Sequence, residues 1–265
     1  MMPAAAAAAD DRPTVIAISA LGCILQDILH EGLGHGGVAW LSGAHYITIS
    51  TVAMQSEIDT RWISAAGTLV NLIAALVLWL LLRRAQRYSP PTRYFLIIAL
   101  AGNLFTGTGY FFFSGVSNFG DWAAVIHGLH PYWAWRVGLI VVGVISYWLS
   151  MLLVAHELRS FHRAGESWRR IRGLSWTPYF TDGALAFVAG LLNPAGIFYV
   201  IASALPSTLG ANAGLLSLPG VMRWKDITSN EPVAPIARSK GWIVAGAIAS
   251  VLFIVVLGRG ITFKA

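Results

Sequence analysis

Charge is scarce in this sequence: Asp, Glu, Lys and Arg make up 11% of its 265 residues, against roughly a quarter in an ordinary soluble domain. Cysteine occurs once, as Cys23, so no disulfide scaffold can be built within the chain. No Walker loop, dinucleotide-type glycine fingerprint or Cys-x-x-Cys pair is present, which removes the sequence signs of those cofactors. What is abundant is apolar: 56% hydrophobic residues, 11 of them Trp, in blocks long enough to cross a bilayer. The same figures exclude a disordered chain. The net charge of +6 comes from Arg residues clustered between the apolar blocks. That is the bias of a multipass membrane protein, not of a nucleic-acid binder.

Residues 1–13 combine an Ala run with Asp10, Asp11 and Arg12. A secretory signal has its basic residues before the apolar stretch, so this segment reads as a disordered tail. Residues 14–265 then form one integral membrane domain of all-α class, a polytopic helix bundle. Its apolar stretches are Thr14 to Trp40, Trp62 to Leu82, Tyr94 to Val116, Trp133 to Ala155, Tyr179 to Leu218 and Trp242 to Leu257. The fifth is interrupted by Asn193-Pro194 and Pro206, where proline removes a backbone donor and breaks a helix. Six spans are expected, with seven as the alternative if the interrupted stretch is two short helices. Arg83, Arg84, Arg87 and Arg93, and then Arg159, Arg163, Arg169, Arg170 and Arg172, mark two cytoplasmic connections. Six spans put both termini in the cytoplasm. The connection holding Arg223, Lys225, Arg238 and Lys240 would then lie outside, against the rule. Trp40, Trp62, Trp122, Trp133 and Trp242 fall near span ends, as in an interfacial aromatic belt.

The chemistry sits in residues 14–130. His30-Glu31-Gly32-Leu33-Gly34-His35 lies late in the first span, with Asp27 one turn earlier. Ionisable groups at membrane depth are costly and mark function. Two imidazoles and a carboxylate this close suggest one zinc ion, with Glu31 activating a bound water. In His-Glu-x-x-His the two His share a helix face at i and i+4. Here the second stands at i+5, about 140° round a regular helix. A π-bulge absorbs the extra residue, and the local glycines ease such a distortion. The competing reading has the two His bonded to neighbouring helices, with the glycines serving close packing.

His30-Glu31, followed by Ala66-Gly67-Thr68-Leu69-Val70-Asn71 at the start of the second span, resembles the site-2 protease family of intramembrane zinc metalloproteases over roughly the first 120 residues. That family pairs a His-Glu-x-x-His helix with an Ala-Gly-Pro-x-x-Asn-like segment. The spelling His-Glu-x-x-Gly-His is also similar to that of the soluble dipeptidyl-peptidase III family, where the extra residue is compatible with zinc. The resemblance implies His30 and His35 as zinc ligands and Glu31 as general base. It implies that Asn71 holds a substrate or a catalytic neighbour, against the plain alternative of a helix–helix contact. The family takes a third ligand from an Asn-Pro-x-x-Asp-Gly segment. Here Asn193-Pro194 is followed by Ala195-Gly196, and Asp182-Gly183 lies upstream instead.

Topology selects among the acids. The His pair and Asp121 fall toward one side of the bilayer, as do Glu57, His127 and His130, while Asp182 begins its span on the other. Asp121 is the favoured third ligand over Glu57, His127, His130 and Asp182, with a helix N-cap as its competing role. The charge bias puts this site toward the outer face, whereas the family's site lies nearer the cytoplasm. Tyr110 to Gly115 reads as a lipid-facing wall or a substrate groove. His156-Glu157 lacks a second His at i+4 and reads as a helix end facing headgroups. The expected function is a membrane metallopeptidase cutting membrane-associated polypeptides in the lipid bilayer. The rivals are a zinc hydrolase of lipid amides or esters, and a non-enzymatic metal carrier.

Overall fold

The computed structural model describes residues 9–84, 88–194 and 206–264. The chain runs α1 (Arg12–Leu41), β1 (Tyr46–Ile49), β2 (Met54–Ser56), α2 (Arg61–Arg83), α3 (Pro90–Ser117) and α4 (Asp121–Ile126). It continues through α5 (Tyr132–Phe161), α6 (Arg169–Gly190), α7 (Gly214–Trp224), α8 (Lys240–Leu257) and β3 (Ile261–Lys264). A π-helical turn, Pro206–Gly210, precedes α7. Five helices, α1, α2, α3, α5 and α8, are long and apolar enough to cross a membrane. Their outward faces fit lipid. Only 17% of the most apolar window of α5 and 11% of that of α8 lie inside the protein. Val141, Ile145 and Leu149 on α5, and Val244, Ile248 and Val251 on α8, are exposed, more contiguous apolar surface than water tolerates.

Capping sets the ends. The Asp11 carboxylate accepts from the Thr14 N–H at 3.0 Å, and Pro13 occupies the first turn of α1. Thr60 caps α2 by accepting from Ile63 N–H at 3.2 Å. Residues 9–13 therefore belong to the fold and not to a tail, because Asp11 starts the helix and Asp10 is bound by Arg170. Residues 1–8 lie outside the described residues.

The two ends of the bundle differ in charge. At one end, Asp11 N–H donates to Ile236 O, Ser239 N–H to the Thr14 hydroxyl, and the Arg93 guanidinium to the Ser160 hydroxyl. The starts of α1, α3, α6 and α8 thus meet the end of α5 and the connection between α7 and α8. Here the Asp10 carboxylate accepts from Arg170 at 2.9 and 3.1 Å and from Ile236 N–H at 2.7 Å, while Arg170 also donates to carbonyls of Phe161, Val233 and Ala234. The main core lies toward this end, where Tyr94, Ile97, Leu158, Phe161, Ile171 and Met222 are fully buried. At the other end β1 pairs antiparallel with both β2 and β3, in the order β2-β1-β3, with Tyr46 opposite Lys264 and Ile49 opposite Ile261.

This pairing corrects the expectation that both termini share one side. α1 and α8 begin together at the basic end and run parallel, so β3 finishes beside β1 at the opposite end. The interrupted fifth stretch supplies the reversal: α6 runs from the Arg170 cluster to Ala189, which packs on Gly258, and α7 returns to the basic end. The break falls after Gly190, ahead of Asn193-Pro194; residues 195–205 are outside the described ones. The connection with Arg223, Lys225, Arg238 and Lys240 consequently joins the other basic loops. Among the described basic residues, only Arg61, Arg136, Arg259 and Lys264 lie at the sheet end. The sheet itself was not expected, although Tyr46-Ile47-Thr48-Ile49 and Ile261-Thr262-Phe263 carry the β-branched and aromatic residues of strands.

Candidate metal centre

From Ile28 to Gly36, α1 is π-helical, flanked by α-helical Arg12–Asp27 and Gly37–Leu41. Bonding from i to i+5 lays residue 35 over residue 30, and the two imidazoles meet with Nε2 atoms 3.2 Å apart. This conformation depends on a close approach by α2. A Cβ on Gly34 would lie 2.6 Å from Gly67 Cα, and one on Gly67 would lie 2.8 Å from ring atoms of both His30 and His35. Small residues on both helices make room for the two rings between them.

Asp121 arrives from a turn. α3 ends in the left-handed residue Asn118, and Gly120, at φ +84°, reverses the chain so that α4 starts at Asp121 beside α1. The Trp122 indole N–H donates to the Thr68 hydroxyl at 2.9 Å and Arg61 donates to His127 O at 2.8 Å, which clamps α4 to α2. The helix N-cap is Gly120. Asp121 Oδ2 instead lies 3.3 Å from His30 Nε2 and 3.4 Å from His35 Nε2, and has no hydrogen-bond partner.

A chain of amides fixes the tautomers. Asn103 donates through Nδ2 to Ala99 O, leaving its Oδ1 as acceptor for Asn71 Nδ2 at 2.8 Å. Asn71 Nδ2 also donates to Gln26 O at 3.1 Å, so Asn71 Oδ1 is the atom facing His30 Nδ1, at 2.6 Å. An amide oxygen can only accept, so His30 carries its proton on Nδ1. His35 Nδ1 likewise donates to Ile63 O at 2.7 Å. With both rings neutral, both Nε2 atoms present lone pairs to each other and to Asp121. In that state three acceptors with no donor among them, all but sealed from solvent, are the donor set a shared cation would take. Three corners of a tetrahedron around an ion with bonds of about 2.0–2.1 Å stand about 3.3–3.4 Å apart, and the observed separations are 3.2, 3.3 and 3.4 Å. The residues fit zinc.

Among the described residues, His30, His35 and Asp121 form the one group of His, Cys, Asp and Glu whose ligand atoms can share an ion. Glu31 is buried beside it with Oε2 unpartnered, and lines a cavity of about 400 Å³ together with Asp27. The rest of that wall comes from apolar side chains of α1, α8, β1 and β3, among them Phe253, Val256 and Phe263. Asn71 is fully buried and its amide is spent on His30, Gln26 and Asn103.

The other acids and histidines stay apart. Glu57 accepts from the His45 and Tyr46 N–H groups, and such backbone hydrogen bonds hold its carboxyl below the usual range. His127 and His130 are exposed. Asp182 accepts from Asn212 at 2.6 Å within the bundle. Gly67, Thr68, Ile63, Asn103 and Tyr110, whose ring lies 5.0 Å from that of His30, are parts of the site that spacing did not reveal. Only the Ala66–Asn71 segment pointed toward α2 as a partner. Compared with protein-family models, curated proteins and solved structures, the chain matches none.

Proposed function

We propose that this protein is a membrane-embedded zinc hydrolase, most simply a metallopeptidase of membrane-associated polypeptides. The observation that carries this reading is the triangle of His30 Nε2, His35 Nε2 and Asp121 Oδ2, three buried acceptors at tetrahedral spacing. His30, His35 and Asp121 would hold zinc through three protein ligands, the number found in catalytic and not structural zinc sites. Zinc held by these residues would supply Lewis acidity and the activation of water at neutral pH. Asn71 and the Ile63 carbonyl accept from the Nδ1–H groups and so fix the orientation of the two rings. Glu31 accepts a proton at its free Oε2 and returns it to the leaving group. The apolar wall beside Glu31 excludes bulk water and suits a substrate drawn from lipid.

In the same reading the chain crosses the membrane seven times, with α6 and the α7 segment as the fifth and sixth passages. The basic end is cytoplasmic, which places every Arg-rich connection on one side. The N-terminus is then inside, the C-terminal strand outside, and the zinc site in the outer half.

The test is Glu31→Gln. The purified variant should hold one zinc per chain, as the wild type does, yet lose at least 100-fold in hydrolysis. Membrane peptides and a lipid extract are assayed side by side, and cleavage confined to lipid amides or esters moves the reading to a lipid hydrolase. A wild type that hydrolyses neither while the variant alters metal flux points to a carrier.

A further inference from the structure

A groove of about 860 Å³ runs along α6 between α1 and α8. Its floor is one helical stripe: Arg169, Arg172, Trp176, Phe180, Ala184 and Val188. Ile16 and Ala20 of α1 form one bank, Ser250 and Ile254 of α8 the other. The stripe is basic only at its mouth, which opens at the Arg-rich end of the bundle. The neighbouring Arg170 is spent on Asp10 and three carbonyls. Arg169 and Arg172 are exposed, and neither has a carboxylate partner among the described ion pairs. Arg172 stacks over Trp176, its guanidinium carbon 5.7 Å from the ring centre, and the Trp176 indole N–H is fixed on Leu216 O at 3.1 Å. Two free guanidiniums, an anchored Trp below them and an apolar trough beyond have the order of charges and surfaces along a lipid: anionic headgroup, interface, acyl chain.

We propose that this groove is a binding site for an anionic phospholipid, its phosphate held by Arg169 and Arg172 and an acyl chain laid along α6 past Phe180 and Ala184. The inference rests on the membrane reading above and not on the zinc site.

The test uses the full chain in mild detergent, stripped of lipid, with phosphatidylglycerol or phosphatidylcholine of identical chains added and retention read by native mass spectrometry. Phosphatidylglycerol should be retained at least tenfold better. Arg169→Gln with Arg172→Gln should lower its retention roughly tenfold and leave phosphatidylcholine unchanged, since each basic residue contributes separately to holding an anionic headgroup. Ala184→Trp, which fills the trough, should weaken both lipids. Glycerol phosphate, the headgroup without chains, should not compete at equal concentration. Equal retention of the two lipids would overturn the proposal, as would full competition by glycerol phosphate. So would an equal loss in the charge-matched control, Arg163→Gln with Arg223→Gln, which lies outside the groove. Zinc content is measured in each variant and should stay at one per chain, so a failed hydrolase reading remains separate from a failed lipid site.

Discussion

Asp10 and Asp121 are both carboxylates sheltered within the fold, at opposite ends of one bundle, and they have opposite surroundings. Asp10 meets donors on every side: two from Arg170 and one from Ile236 N–H. Asp121 Oδ2 meets two imidazole nitrogens whose protons are committed elsewhere. The first cluster is complete as a charge pair and ties the start of α1 to α6 and to the connection before α8. The second, in the proposed reading, is completed by a cation. A buried charged group serves stability when its partners are all protein, and serves chemistry when one partner must be recruited.

The sharpest way to break this contrast is to neutralise each acid in turn. Asp121→Asn or His35→Ala should drop zinc from one per chain to near none, measured by elemental analysis after dialysis against a weak chelator. Asp10→Asn should keep the zinc and cost about 1–2 kcal/mol of stability, because a charged pair becomes a neutral one while Arg170 keeps its three carbonyl acceptors. That loss is read as a lower denaturation midpoint in detergent. If Asp10→Asn removes zinc as thoroughly as Asp121→Asn does, the two ends are not separable and the contrast fails.

Gly67 tests the packing beneath the metal site. A methyl there meets both imidazoles and the approach of Gly34, and overpacking of this kind costs about 1–3 kcal/mol. Gly67→Ala should therefore weaken zinc and lower the denaturation midpoint together. Gly173→Ala, where an added Cβ meets nothing within 4 Å, should do neither.

The Asp121 side of this contrast was legible beforehand, whereas Asp10 was read as part of a tail, and the parts that were missed have physical reasons. The apolar blocks and the His30–His35 spacing are local signals, and the π-helical turn follows once two side chains five apart must share a face. Asp121 could be picked out because topology alone brings the end of the third long helix back to the end of the first. The side shared by the termini could not. It turned on whether residues 179–218 cross once or twice, and a stretch with Asp182, Pro178 and Pro206 has no hydropathy signal that separates the two. The three-stranded sheet was hidden because β3 pairs with a strand more than 200 residues earlier. Asn71 was visible as a polar residue in an apolar helix, but its role depends on Asn103 and Gln26, which belong to two other helices.

Asn71 gives the smallest of the expected effects and the finest view of the site. It lies behind the proposed metal position and decides which His30 nitrogen carries the proton. Loss of such a partner typically costs 10–100-fold in metal affinity, so Asn71→Ala should weaken zinc by that factor while keeping one site per chain under saturating metal. Asn71→Asp keeps an acceptor toward Nδ1–H but faces Gln26 O and Asn103 Oδ1 with a second acceptor, and should recover part of the zinc affinity at a cost in stability. If Asn71→Ala leaves zinc affinity unchanged, the amide is only a helix–helix contact, and His30 reaches the ion without being told which tautomer to adopt.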